Sequence, residues 1–200
     1  MKRAVITGDI IRSREKKTEN WIKNLKSVLA HHGKAFSEWE IFRGDSFQLM
    51  VEPLYALMAT FHIKASMKCV SELDVRMAIG VGEVTHLSAR ITESNGPAFI
   101  YSGECFDDLK KQTLAIKTGH RETDKTLNMM FKLAMLTANN WSPKVATVIK
   151  TFLEHPGSNQ KELAQRLNIS QSNASEALKR GGFNEMMQLD EFYREKIANI

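Results

Sequence analysis

Cysteine is scarce in this chain. Cys69 and Cys105 stand far apart and without a CxxC spacing, which speaks against both a disulfide framework and a zinc site built on cysteine pairs. A reduced, cytoplasmic setting is the expectation. Long apolar runs are missing as well, since none approaches the roughly 18 residues that a membrane-spanning helix needs. The start, Met1-Lys2-Arg3, is basic, but the apolar run behind it is too short for a secretory leader and soon meets Asp9, Arg12 and Arg14. A soluble intracellular protein is therefore expected. Disorder is not indicated: an apolar content of 42% is enough for a core, and 200 residues allow one large domain or one with a small companion.

The formal charge of +5 permits an anionic partner without requiring one. Much of the excess sits early, where Lys2, Arg3, Arg12, Arg14, Lys16, Lys17, Lys23 and Lys26 face only Asp9, Glu15 and Glu19. A cluster of this kind forms a solvated helix face, but Arg12 and Arg14, with Ser13 between them, are also near enough to Asp9 to meet phosphate.

The chain is organised around Ile41–Val51. An apolar run enters Gly44-Asp45, and a second leaves it with Phe47, Leu49 and Val51 in alternation, the pattern of a β-hairpin with an acid in its turn. Gly8-Asp9 closes the first apolar run, Ala4–Thr7. Each Gly-Asp can be plain turn chemistry. If the strands are neighbours, however, Asp9 and Asp45 form a carboxylate pair of the kind that holds Mg²⁺ beside a phosphate.

Around this hairpin the pattern predicts a strand at 3–8 and a helix at 18–32 ended by Gly33. A second helix opens at Pro53, with Leu54, Leu57, Met58, Phe61 and Ile63 as its apolar face. A strand follows at 74–82, then a turn at Asn95-Gly96-Pro97, a helix at 98–109, a strand at 113–117 and a helix at 123–138. The order β-α-β-β-α-β-α-β points to an α+β, ferredoxin-like domain over 1–120, with helices on one face of an antiparallel sheet. In that arrangement the first strand pairs with the second strand of the hairpin, and Asp9 and Asp45 converge. His31-His32 read as surface residues near a helix end, His62 as a satisfied core histidine, and Glu83 as a weak candidate to face the aspartates.

Residues 121–141 read as a connecting helix and linker, and 142–200 as a small all-α unit. Ser142 caps a helix there, and Gln160–Arg180 carries a helix-turn-helix pattern. Leu163, Leu167, Ile169, Ala174 and Ala177 supply the apolar contacts, and Ala164 allows close approach. Asn168 suits a left-handed turn position, and Ser170 caps the second helix. That helix opens on Gln171, Ser172 and Asn173 and continues through Ser175. Gln and Asn side chains can pair with adenine in the major groove. Lys161, Arg166, Lys179 and Arg180 are the phosphate contacts. The partner expected from this is double-stranded DNA, read by a homodimer. The apolar stripe of Met186, Met187, Leu189, Phe192, Tyr193 and Ile197 is core or a dimer surface.

With these residues in hand, the chain resembles the SatD-like family of bacterial proteins over nearly its whole length. The carriers are Ala4–Arg14, Phe42–Gln48, Arg76–Glu83, Gly96–Phe99 and the helix start at Ser170-Gln171-Ser172. The N-terminal part also resembles a class III nucleotide cyclase or GGDEF-type palm domain, in which one metal aspartate ends the first strand and another sits in a Gly-Asp hairpin. Asp9-Ile10 and Gly44-Asp45 match those positions and imply bound Mg²⁺. The remainder departs from the pattern. Where a cyclase helix brings an Asn and an Arg to the transition state, this chain has Ile100 and Glu104, and only one Gly precedes Asp45. The family resemblance implies a domain arrangement more than a function; the helix-turn-helix pattern joined to this cyclase-like part points to a transcriptional regulator with a catalytically degenerate, nucleotide-sensing domain. A Mg-dependent cyclase or nucleotidyltransferase with a non-standard site, and a non-catalytic adaptor, are the alternatives.

Overall fold

The computed structural model describes residues 1–15, 19–70 and 72–200. The chain runs β1 (Lys2–Ile11), α1 (Glu19–His32), β2 (Trp39–Phe42), β3 (Ser46–Val51), α2 (Ala56–Lys68), β4 (Asp74–Glu83), α3 (Pro97–Asp107) and β5 (Leu114–Lys117). Helices alone follow among the described residues: α4 (Arg121–Ala138) completes the first part, and α5 (Pro143–Glu154), α6 (Gln160–Leu167), α7 (Gln171–Arg180) and α8 (Phe183–Ala198) end the chain. The expected start of α1 at Thr18, and Lys16 and Lys17 of the basic cluster, lie outside the described residues.

One five-stranded sheet has the order β2-β3-β1-β4-β5. β1 pairs antiparallel with β3, as the hairpin pattern implied, and also antiparallel with β4. Two expectations are corrected here. β5 lies parallel to β4, so the sheet is mixed. The helices also occupy both faces. Strand alternation sends Ala4, Ile6, Leu49 and Ile79 into a large core with Leu25, Leu29, Leu57 and Phe61 of α1 and α2, while Val5 and Met50 pack with Ala98 of α3. The physical reason is the connection itself: two parallel strands need a crossover, and α3 supplies it across the far face.

That far face is thin. A Cβ on Gly80 would stand 2.2 Å from the Ala98 carbonyl oxygen and 2.3 Å from the Ser102 nitrogen. Glycine at this position therefore brings helix backbone down onto the strand, a packing role for the Gly80-Val81-Gly82 sequence. Thr7 Oγ1 and Ser102 Oγ meet at 3.0 Å in the same layer.

On the thick face α2 is buried on nearly every side, because α1, the sheet and α5 all pack against it. Its polar residues are consequently buried too, and Lys64 donates to Asp74 Oδ1 at 2.7 Å. Leu54, assigned to the apolar face from sequence, is 37% exposed. α8 turns back over this layer. Met186, Leu189, Tyr193 and Ile197 are buried, and the Tyr193 hydroxyl donates to the Pro53 carbonyl at 2.7 Å. Trp141 Nε1 donates to the Gly181 carbonyl at 2.9 Å. The apolar stripe of α8 is thus core, continuous with that of the sheet helices. Among the described residues, no helix is long and apolar enough to cross a membrane.

Candidate functional site

Two groups of predicted residues can be located. The first lies at the Asp9 end of β1. The register sets Asp9 opposite Ser46 on β3 and opposite Arg76 on β4. Asp45 sits in the hairpin turn, which reverses through left-handed Arg43 (φ 52°) and Gly44 (φ 88°). The Asp45 carbonyl accepts from the Ile10 amide at 3.2 Å, and its carboxylate accepts from Ser13 Oγ at 2.5 Å. The structure therefore brings Asp9, Asp45 and Ser13 together. Arg12, in a left-handed backbone conformation (φ 62°), and Arg14 are exposed beside them.

Arg76 completes this group and was not singled out as a site residue from sequence. Its Nε and Nη2 donate to Asp9 Oδ1 and Oδ2, both at 2.7 Å, and its guanidinium lies 5.0 Å from the centre of the Phe106 ring. The hydrogen bonds from Arg76 to Asp9, followed by the charges of Asp9 and Asp45, raise the pKa of the guanidinium. A signal was available: Arg76 is the cation interrupting an otherwise apolar strand. Finding its partner required the β1–β4 register.

The group fits a divalent cation poorly. A bidentate guanidinium covers both oxygens of Asp9, and its positive charge repels a second cation at that carboxylate. Asp45 is left as the other acid, already holding the Ser13 hydroxyl. The chain's own residues make this a carboxylate–guanidinium site edged by Arg12 and Arg14. Glu83 does not face it: that residue lies at the opposite end of β4, paired with Lys2, and accepts from the Met1 amino group at 2.5 Å. On α3, Ile100 is 50% exposed, and Glu104 accepts from Lys117 Nζ at 2.6 Å.

The second group is the α6–α7 pair. Asn159 caps α6 through a capping box with Glu162. Asn168 adopts the left-handed conformation (φ 52°, ψ 46°) between the helices, and Ser170 Oγ accepts from the Asn173 amide at 3.2 Å to cap α7. Leu163, Ala164, Ala174, Ala177 and Leu178 are buried, whereas Ile169 keeps 37% of its surface exposed and contributes less to the contact than its position in the pattern implied. Gln171, Ser172 and Asn173 are exposed at the start of α7, Ser175 is half-buried, and Lys161, Arg166, Lys179 and Arg180 are exposed around them. Arg180 pairs loosely with Glu176 at 3.6 Å. A cleft of about 400 Å³ runs beside the turn, lined by Lys144, Thr147, Ile169 and Asn173 among others.

The sequence model of the SatD family matches residues 3–193 of this chain. No curated protein and no solved structure matches it.

Proposed function

The chain belongs to the SatD family, and from that premise we propose that it is a DNA-binding transcriptional regulator. Residues 142–200 act as a helix-turn-helix module, and residues 1–120, a ferredoxin-like and nucleotide-cyclase-like domain, act as a sensor without catalysis. One observation carries the reading: α7 buries Ala174, Ala177 and Leu178 while Gln171, Ser172 and Asn173 are exposed at its first turn. A helix of this design enters the major groove with its N-terminal residues toward the base edges. Gln171 and Asn173 are the side chains suited to adenine, and Ser172 and Ser175 are short enough for close approach. Lys161, Arg166, Lys179 and Arg180 contact phosphates on either side.

Glu162 and Glu176 offset part of this basic charge, so affinity per subunit is modest and a homodimer reading two half-sites supplies the remainder. At the sensor end, Arg12 and Arg14 present cations to the phosphates of a nucleotide ligand. Such a ligand regulates only by binding one arrangement of the helices more tightly than another. Ile100 and Glu104 offer no donor to a developing phosphate charge, so turnover is not part of the reading.

The test is selection from a random duplex pool by the full-length protein. The expected result is an enriched, two-fold-symmetric sequence with half-sites about one helical turn, or 10 base pairs, apart. Asn173→Ala should lose that enrichment. Equal recovery of all sequences by both proteins would overturn the proposal.

A further inference from the structure

Three imidazoles meet on the thick face of the fold, where α1 ends and crosses the middle of α2. The ring centres of His31 and His32 are 5.1 Å apart, those of His31 and His62 5.0 Å, and those of His32 and His62 5.1 Å. His32 Nε2 and His62 Nδ1 stand 3.0 Å apart. We propose that His31, His32 and His62 form a binding site for one transition-metal dication of the zinc class.

Geometry carries this assignment. A tetrahedral zinc–imidazole bond is about 2.0 Å long and the ring centre lies roughly 1.1 Å beyond the donor, which sets ring centres about 5.1 Å apart and donor nitrogens about 3.3 Å apart. The observed ring centres have that spacing on all three sides, and the one pair of nitrogens in contact, His32 Nε2 and His62 Nδ1, is 3.0 Å apart. Aromatic rings packed for their own sake spread over about 4.5–7 Å, with no reason to form an equilateral set. A hydrogen bond between His32 and His62 accounts for one contact, but not for the third ring.

Nor does that hydrogen bond account for the far side of His62. Its Nε2 is buried without a hydrogen-bond partner among the described residues, 3.6 Å from Glu154 Oε1 on α5. With a metal on Nδ1 the ring proton must sit on Nε2 and point toward that carboxylate. Closing that 3.6 Å gap to a hydrogen bond gives the carboxylate–histidine–metal relay that orients ligands in metal sites.

Imidazoles without thiolate or carboxylate donors favour Zn²⁺, Co²⁺, Ni²⁺ or Cu²⁺ over Mg²⁺ or Ca²⁺. His31 and His32 open onto a cleft of about 310 Å³ shared with Glu38 and Glu52, from which an ion can enter and a fourth ligand, water or carboxylate, can come. Among the described residues, no three His, Cys, Asp or Glu side chains stand ready-made to hold an ion. His31, the exposed ring, is the one that turns to complete the set.

The test is titration of chelator-treated, full-length protein with Co²⁺, then with Zn²⁺. Expected are the visible absorption bands of tetrahedral Co²⁺ at one ion per chain, their loss on adding Zn²⁺, and a melting temperature that rises with Zn²⁺. His31→Ala, at an exposed position, should fold and lose at least tenfold in Co²⁺ affinity. Glu154→Gln should weaken binding tenfold or more while keeping the bands. Absence of tetrahedral bands, or equal affinity in wild type and His31→Ala, would overturn the proposal.

Discussion

The Asp9 edge of the sheet and the first turn of α7 are both polar, and they differ in where their polar groups are directed. At the sheet edge the groups are turned on each other: Arg76 takes both oxygens of Asp9, and Ser13 takes Asp45. At the start of α7 Ser170 is used internally, as the cap, and its hydroxyl meets that of Ser172 at 3.0 Å, while Gln171 and Asn173 present their side chains to solvent. Buried or half-buried polar groups must find partners within the fold, because an unpaired one costs about 1–3 kcal/mol. An exposed turn carries no such requirement and is free to recognise something else. The Arg76–Asp9 and Ser13–Asp45 pairs should therefore contribute mainly to stability, and the exposed side chains of α7 mainly to binding.

The largest expected effect lies between these regions, at the histidines that join α1, α2 and α5. The folded-state pKa of His32 and His62 is about 3, against 6.5 for an ordinary histidine. Because the folded value is depressed, their contribution is complete above pH 6.5 and is lost as pH falls from 6.5 toward 3. Melting of metal-free protein across that window should show a steep loss, and His62→Asn should flatten it. An unchanged slope would remove these histidines as the cause.

Next comes Asn173→Ala, expected to lower specific DNA affinity about tenfold to a hundredfold, since a bidentate base contact is worth about 1–3 kcal/mol. Its melting temperature should stay at the wild-type value. Arg76→Ala should do the reverse. Stability falls by about 2 kcal/mol as Asp9 loses a charge-assisted pair, while DNA affinity is retained. In the same variant Mg²⁺ should begin to raise the melting temperature, because Asp9 is then free to ligate. A loss of DNA binding in Arg76→Ala would show that the two regions are coupled.

Ser170→Ala should affect both readouts slightly, costing about 1 kcal/mol through the lost cap and blurring the start of α7. Lys161→Ala should have the smallest effect. Affinity should weaken evenly across sequences, and the slope of log affinity against log salt should fall by about 1. A change in preferred sequence for Lys161→Ala would mean that it touches a base edge.

Much of the local structure was legible before any coordinates. Apolar periodicity located the strands and helices in order, and Ser142, Ser170 and left-handed Asn168 took the cap and turn positions that their side chains favour. The hairpin around Asp45 and its pairing with β1 also followed from the pattern. Less legible were α2, whose amphipathic face turned out to be buried nearly all round, and α3, expected beside the other helices but lying across the opposite face. Both outcomes depend on what packs from a distance, which periodicity within one element does not encode.

The sequence alone determined the elements, their caps and turns and the polar character of α7, because these depend on interactions spanning only a few residues. Tertiary structure decided what the polar residues meet. Arg76 reaches Asp9 across 67 residues and His62 reaches His32 across 30, through strand order and helix packing. The energies that choose such partners arise only once sheet and helices have assembled, so the carboxylate–guanidinium edge and the histidine triangle belong to the fold.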